Sequence, residues 1–190
     1  MDFQQTEIPE VILVKPTVFE DHRGFFMESY HIEKFNMGGI DCTFVQDNHA
    51  KSIQNTLRGL HFQVKYPQAK LLRCIKGKVF DVAVDLRKDS PYYGQWVSEE
   101  LSEDNKCKLF IPAGFAHGYY VMSATAEVAY KCSDIHHPED EKGIRWNDSD
   151  IGIEWPGTEP VLSDKDINLP MLHSLNLNQD YFFEEKNSDK

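Results

Sequence analysis

Leu57-Arg58-Gly59-Leu60-His61-Phe62-Gln63 sets an Arg, a Gly and a His close together between apolar residues that alternate as in a strand. Side chains alternate along a β-strand, so Leu60 and Phe62 are expected on one face and Gly59, His61 and Gln63 on the other. A His on the polar side of a buried strand, next to an Arg, fits a general base beside an anion-binding cation. It equally fits a structural His bonded to backbone.

Outward from this stretch the chain reads as short strands punctuated by turns. Upstream, Val11–Val14 is an apolar run closed by Pro16, and Phe25–Tyr30 is an aromatic-rich run after the turn Asp21-His22-Arg23-Gly24. A helical turn is expected over Glu33–Met37, stopped by Gly38-Gly39, with a further strand at Cys42–Gln46. Downstream, Leu71–Ile75 and Val79–Leu86 flank Lys76-Gly77-Lys78, the signature of a hairpin. Trp96–Leu101, Leu109–Ile111, Tyr119–Met122 and Ala126–Lys131 continue the series. Short strands at spacings of roughly 10 residues point to an all-β sandwich or barrel. After His137-Pro138 the chain becomes turn-rich, with Trp146 and Trp155 as packing anchors and weak helical signals confined to Leu169–Leu175. Glu184–Lys190 is charged and expected to fray. With 190 residues and no internal repeat, residues 1–190 are expected to form a single domain. Within it, residues 1–50 supply N-terminal strands, 51–137 a barrel core and 138–190 a C-terminal extension.

A net charge of -11 opposes a nucleic-acid partner, whose phosphates it would repel. A small anionic ligand held by a local Arg and Lys cluster remains compatible with it. No run approaches the ~20 apolar residues of a membrane span, and Cys42, Cys74, Cys107 and Cys132 form no paired spacing. A cytoplasmic chain without membrane contact is expected.

His61-x-Gln63 and Pro112-x-Gly114-x-x-His117 resemble the two motifs of the cupin family of small β-barrels. Where metal-binding cupins carry a second His and a Glu, this chain has Gln63 and, near the Glu position, Lys70. Two His fall short of the usual three or four protein ligands, and a neighbouring ammonium opposes a divalent ion. No metal is expected. The remaining inventory is Arg58, His61, Lys70, His117 and Tyr130: a base, an acid and an oxyanion-holding cation, suited to proton removal next to a carbonyl.

A longer set of motifs resembles the dTDP-4-dehydrorhamnose 3,5-epimerase family. It comprises Asp21-x-Arg23-Gly24-Phe25-Phe26-x-Glu28, Phe44-Val45-Gln46-Asp47-Asn48, the opening stretch, Lys70-Leu71 and Phe80–Arg87. Pro112-x-Gly114-Phe115-Ala116-His117-Gly118, Trp146-Asn147-Asp148, Ile153-x-Trp155-Pro156 and Leu162-Ser163-x-Lys165-Asp166 complete it, over roughly residues 8–172. The resemblance implies a cupin-type jelly roll with N-terminal strands exchanged in a homodimer, acting without cofactor on a dTDP-sugar. It implies His61 as base with Asp166 behind it, Tyr130 as the acid on the far face, and Lys70 at the C4 oxyanion. His117 would line the sugar pocket, Arg58, Gln46 and Asn48 the diphosphate, and Lys165 the thymine. Arg23, Phe26 and Glu28 would reach the nucleotide of the neighbouring subunit. His136 stands where the family usually has Tyr or Trp near the base; a planar ring of either kind can stack. Asp164 rivals Asp166 as the partner of His61, Tyr130 could be an ordinary strand Tyr, and Lys70 and Arg58 could be solvated charges. Inversion at one carbon only, a sugar-binding barrel without catalysis, and a metal-dependent oxygenase are the competing functions.

Overall fold

The computed structural model describes residues 1–175, which contain thirteen strands and two short helices. One sheet has six strands in the order β1 (Asp2–Gln5), β2 (Ile12–Lys15), β10 (Lys108–Ile111), β7 (Lys70–Lys76), β12 (Thr125–Cys132) and β5 (Gln46–Ile53). The other has five, in the order β13 (Glu141–Gly143), β6 (Leu57–Gln63), β11 (Phe115–Val121), β8 (Lys78–Asp85) and β9 (Trp96–Ser102). The chain is all-β, as its strand spacing predicts.

Period-2 alternation explains why the sheets face each other. Leu72, Cys74, Leu109 and Val128 from the first sheet meet Val79, Ala83, Val97, Phe115 and Val121 from the second in a shared core. The opposite face of the second sheet is also apolar, through Leu60, Phe62, Val82, Val84 and Ala116. The C-terminal segment covers it with Ile144, Ile151, Ile153 and Trp155. Trp155 is the anchor expected there: its ring meets Phe80 edge-on, and its indole N–H donates to the Trp146 carbonyl, 2.7 Å. The outer face of the first sheet is covered by helix α1 (Ile32–Met37), which buries Phe35 against Ile12, Val14 and Leu71. As expected, α1 ends at Gly38.

Four expectations change. The run around Lys76-Gly77-Lys78 is not a hairpin: β7 pairs with β10 and β12, whereas β8 pairs with β11 and β9. One residue between strands is too short for a two-residue turn, so Gly77 (φ 76°) passes the chain from one sheet to the other. A Cβ there would lie 2.1 Å from the Thr125 carbonyl oxygen, which leaves room only for glycine. Cys42–Gln46 is not a strand; the strand begins at Gln46 and takes in the polar run after it. Its inward residues Gln46 and Asn48 face a polar cavity, so hydrophobic alternation is absent there. Phe25–Tyr30 is extended only to Met27, and Tyr30 turns into the core beside Phe35. A helical turn α2 (Asp164–Ile167) lies ahead of the region where helix was expected, which holds only a 3₁₀ turn at Leu172–Ser174. Glu184–Lys190 lies outside the described residues.

The remaining strands, β3 (Val18–Asp21) and β4 (Gly24–Met27), form a two-stranded sheet joined to neither of the others. Phe19, Phe25 and Phe26 on it are 64, 56 and 72% exposed, far more than rings of this size normally are.

Candidate active site

A β-bulge sets up the site. In β6 and β11, His61 pairs with His117 and Arg58 with Tyr119, so Gly59 and Leu60 together oppose Gly118. Simple alternation would send Arg58 and His61, three residues apart, to opposite faces. The extra residue restores them to the same face. Gly59 permits the close approach: it has φ 122°, and a Cβ on it would lie 2.6 Å from the Gly118 Cα. The expected strand phase is thus correct for His61 and reversed for Arg58.

His61, Arg58 and His117 from one sheet and Gln46, Asn48, Lys70 and Tyr130 from the other line a single cavity of about 390 Å³. His136, Lys165 and Asp166 reach it from the C-terminal segment. Arg23, Phe26 and Glu28 do not line it. Arg23 instead pairs with Asp21, 2.6 Å, and Glu28 with Lys34, 2.7 Å.

His61 Nε2 lies 2.6 Å from Asp166 Oδ1. Asp164, the rival partner, is exposed; α2 turns only Asp166 inward. That turn is fixed by Ser163, whose Oγ accepts from the Asp166 backbone N–H, 3.1 Å. The run Ser163-Asp164-Lys165-Asp166 carries a capping signature that would have located this helix from sequence. Burial raises the affinity of Asp166 for a proton. The hydrogen bond and charge of His61, with Ser163 and the Gly59 backbone, outweigh it and hold the carboxyl below its usual range. An ionised Asp166 can only accept, so Nε2 of His61 is the donor in this pair, and Nδ1 is left on the other side of the ring.

Glu141, which the sequence reading missed, stands on that second side of the ring. Its Oε1 is 3.9 Å from His61 Nδ1, while Oε2 meets His136 Nε2 at 3.3 Å and the Lys165 ammonium. Burial works to raise the Glu141 pKa, but Lys165, His61 and His136 together lower it. Its position in β13, paired beside β6, is what brings it there. Asp81 was also missed. It is fully buried and holds His117 Nε2 at 3.1 Å. Burial depresses the His117 pKa, with Asp81 partly compensating. A carboxylate inside the apolar run Val79–Val84 was the available signal.

Lys70 is lowered by burial, against the pull of Cys132, Glu141 and Asp81. Among the described residues, no carboxylate forms an ion pair with it, so its ammonium is available to an anion. Tyr130 is pushed up to about 12 by burial, which keeps it a neutral donor across the neutral and mildly alkaline range. Gln46 accepts the His136 backbone N–H at 2.9 Å and donates to Asn48 at 3.1 Å, while Arg58 Nε donates to Ser52 at 3.0 Å. Gln63 is occupied by backbone: it donates to the Tyr66 carbonyl at 2.7 Å and accepts from His137 N–H at 2.8 Å. Among the described residues no group of three or more His, Cys, Asp or Glu is placed to hold a metal ion, His61 and His117 each being bound to an Asp. No described helix is long and apolar enough to cross a membrane.

A family model described as dTDP-4-dehydrorhamnose 3,5-epimerase matches residues 5–174. A protein of that name from Shigella flexneri is 53% identical over 170 residues, covering 88% of this chain and 94% of its own length. The crystal structure of dTDP-6-deoxy-D-glucose-3,5-epimerase from Legionella pneumophila, in complex with dTDP-4-keto-L-rhamnose, superposes with a TM-score of 0.92 at 43% identity. That match covers 96% of this chain and 98% of the other. The Bacillus anthracis dTDP-4-dehydrorhamnose 3,5-epimerase, with TDP and pyrophosphate bound, gives a TM-score of 0.88 at 42% identity, covering 90% and 99%.

Proposed function

The chain belongs to the dTDP-4-dehydrorhamnose 3,5-epimerase family, and from that premise we propose how its cavity epimerises dTDP-4-dehydro-6-deoxy-D-glucose to dTDP-4-dehydro-L-rhamnose. The observation that carries the mechanism is that His61 and Tyr130 enter one cavity from opposite sheets. The C4 ketone of the sugar acidifies the hydrogens at C3 and C5. Nδ1 of His61 takes one of them, and Asp166 and Glu141 on either side of the ring stabilise the imidazolium that results. Lys70 holds the negative charge that moves onto the C4 oxygen, a role suited to an unpaired ammonium in a site of low dielectric. Tyr130 returns a proton from the other sheet, on the face opposite to the base, and the carbon is inverted. His117, fixed by Asp81, walls the sugar.

Arg58 takes the diphosphate, with Gln46 and Asn48 beside it, since a guanidinium fork suits phosphate oxygens. His136 and Lys165 lie at the thymine end, where His136 offers a planar face in place of the family's larger ring. No metal or cofactor enters these steps. The four cysteines are free, in keeping with a reducing, cytoplasmic setting. Incubation with the substrate in deuterated water tests the activity. Deuterium is expected at both C3 and C5; label at one carbon reduces the protein to a mono-epimerase, and none removes the activity.

The chain is further proposed to act as a homodimer. The hairpin of β3 and β4 exposes Phe19, Phe25 and Phe26 and, among the described residues, pairs with no other strand. Donated to a second copy, it would bury those rings and carry Arg23, Phe26 and Glu28 toward that copy's nucleotide. Phe26→Asp is then expected to shift sedimentation toward the single chain. A wild-type chain that sediments as one copy at micromolar concentration excludes the exchange.

A further inference from the structure

Gln63 closes β6 and is 4% exposed. It lies two residues beyond His61, hence on the same face of the strand, yet it does not line the cavity. A buried amide needs partners, and this one finds three in backbone groups. Its Nε2 donates to the Tyr66 carbonyl at 2.7 Å and to the Ile135 carbonyl at 3.3 Å. Its Oε1 accepts the His137 N–H at 2.8 Å.

Ile135 and His137 flank His136 in the loop between β12 and β13. The peptide joining Ile135 to His136 is held on both sides, its carbonyl by Gln63 and its N–H by Gln46, 2.9 Å. The next peptide is held at the His137 N–H, again by Gln63. A peptide unit is planar, so fixing the planes on both sides of a Cα fixes the direction of its side chain. Packing cannot supply this, because Ile135 and His136 are both exposed. The far end of the loop is tied to the same amide, since His137 stacks on Tyr66 at 4.0 Å and Gln63 binds the Tyr66 carbonyl.

We propose that Gln63 is a positioning residue for the nucleobase: by fixing the two peptides around His136, it holds that ring in place at the thymine end of the cavity before the nucleotide binds. This rests on the reading of His136 set out above. A loop that must be ordered on binding subtracts its entropy from the affinity, and a loop already held does not. Gln63 acts through His136, while the reacting atoms remain with His61, Lys70 and Tyr130. Its contribution therefore falls on nucleotide affinity and not on the chemical step.

The test is a double-mutant cycle with Gln63→Met and His136→Ala, titrated with dTDP and separately with inorganic pyrophosphate. Met matches the length of Gln and has no N–H to donate. Gln63→Met is expected to weaken dTDP about tenfold and to raise KM for the sugar nucleotide to match, with kcat held within about twofold. Pyrophosphate, which carries no base, should bind within about twofold of wild type. Amide exchange at His136 and His137 should quicken about tenfold or more, with β6 unchanged. In the His136→Ala background the change at Gln63 should cost no further dTDP affinity. Should Gln63→Met not fold, Gln63→Asn, which retracts the amide by one methylene, carries the same expectations. An unchanged dTDP affinity in a folded Gln63 variant overturns the proposal. So does an equal loss for pyrophosphate, an equal loss in both backgrounds, or a loss confined to kcat. If His136→Ala itself binds dTDP as wild type does, the reading of His136 falls and the proposal with it.

Discussion

His61→Asn is expected to lower turnover on the order of 10³- to 10⁴-fold and to remove solvent deuterium exchange at both C3 and C5. Asn keeps a planar polar group in the slot but is too short to reach Asp166, whose carboxylate lies 2.6 Å from His61 Nε2. It has no basic atom to replace Nδ1. The substitution therefore removes the proton acceptor while leaving the cavity wall nearly intact, and KM should change by no more than a few-fold. A His serving only to satisfy Asp166 would give a different result, with a lower melting temperature but exchange retained. Retained exchange in a folded His61→Asn protein eliminates His61 as the base.

Tyr130→Phe is expected to separate the two halves of the reaction. Proton removal depends on His61 and Lys70 and should continue, so deuterium still washes into the substrate. Delivery from the opposite face depends on the phenol, and net inversion should fall on the order of 10²- to 10³-fold. The two sheets make this split possible: His61 stands on β6 in the five-stranded sheet, and Tyr130 on β12 in the six-stranded one. Returned protons then come from the face they left, which regenerates substrate carrying label. A Tyr130 that merely packs would lower exchange and inversion in parallel, or neither. NMR of the sugar, with the isotope content of recovered substrate, distinguishes these outcomes.

Residue chemistry was legible from the chain itself. His61, Lys70, His117 and Tyr130 stood out as acid–base types on strand-like runs, and Gln63 and Lys70 turned the reading from a metal site to proton transfer. The strands that bury apolar residues were recognisable because their period of two is a property of the local backbone. Helix α2 and β5 were not, for two different reasons. A four-residue helix has no hydrophobic period to detect, though its Ser163 cap was readable. β5 turns Gln46 and Asn48 into a polar cavity, so its inner face carries no apolar signal. Glu141 lacked any local mark, and Asp81 carried only its place inside an apolar run; each gains its meaning from a His on another strand.

By itself, the sequence determined the all-β class, the approximate strands and the set of candidate side chains for the site, since each depends on residue type and short-range spacing. The tertiary structure alone decided the partners. Asp166 rather than Asp164 reaches His61, more than a hundred residues away, because the turn capped by Ser163 points it inward. Gly77 sends β7 and β8 to different sheets, where local pattern suggested a hairpin. The opening stretch shows the reason most directly. A single unpaired residue at Gly59-Leu60 reverses the strand phase, and so brings Arg58 to the face of His61. Facing alternates every residue, so one bulge outweighs any regular pattern, and a bulge is set by the neighbouring strand's backbone.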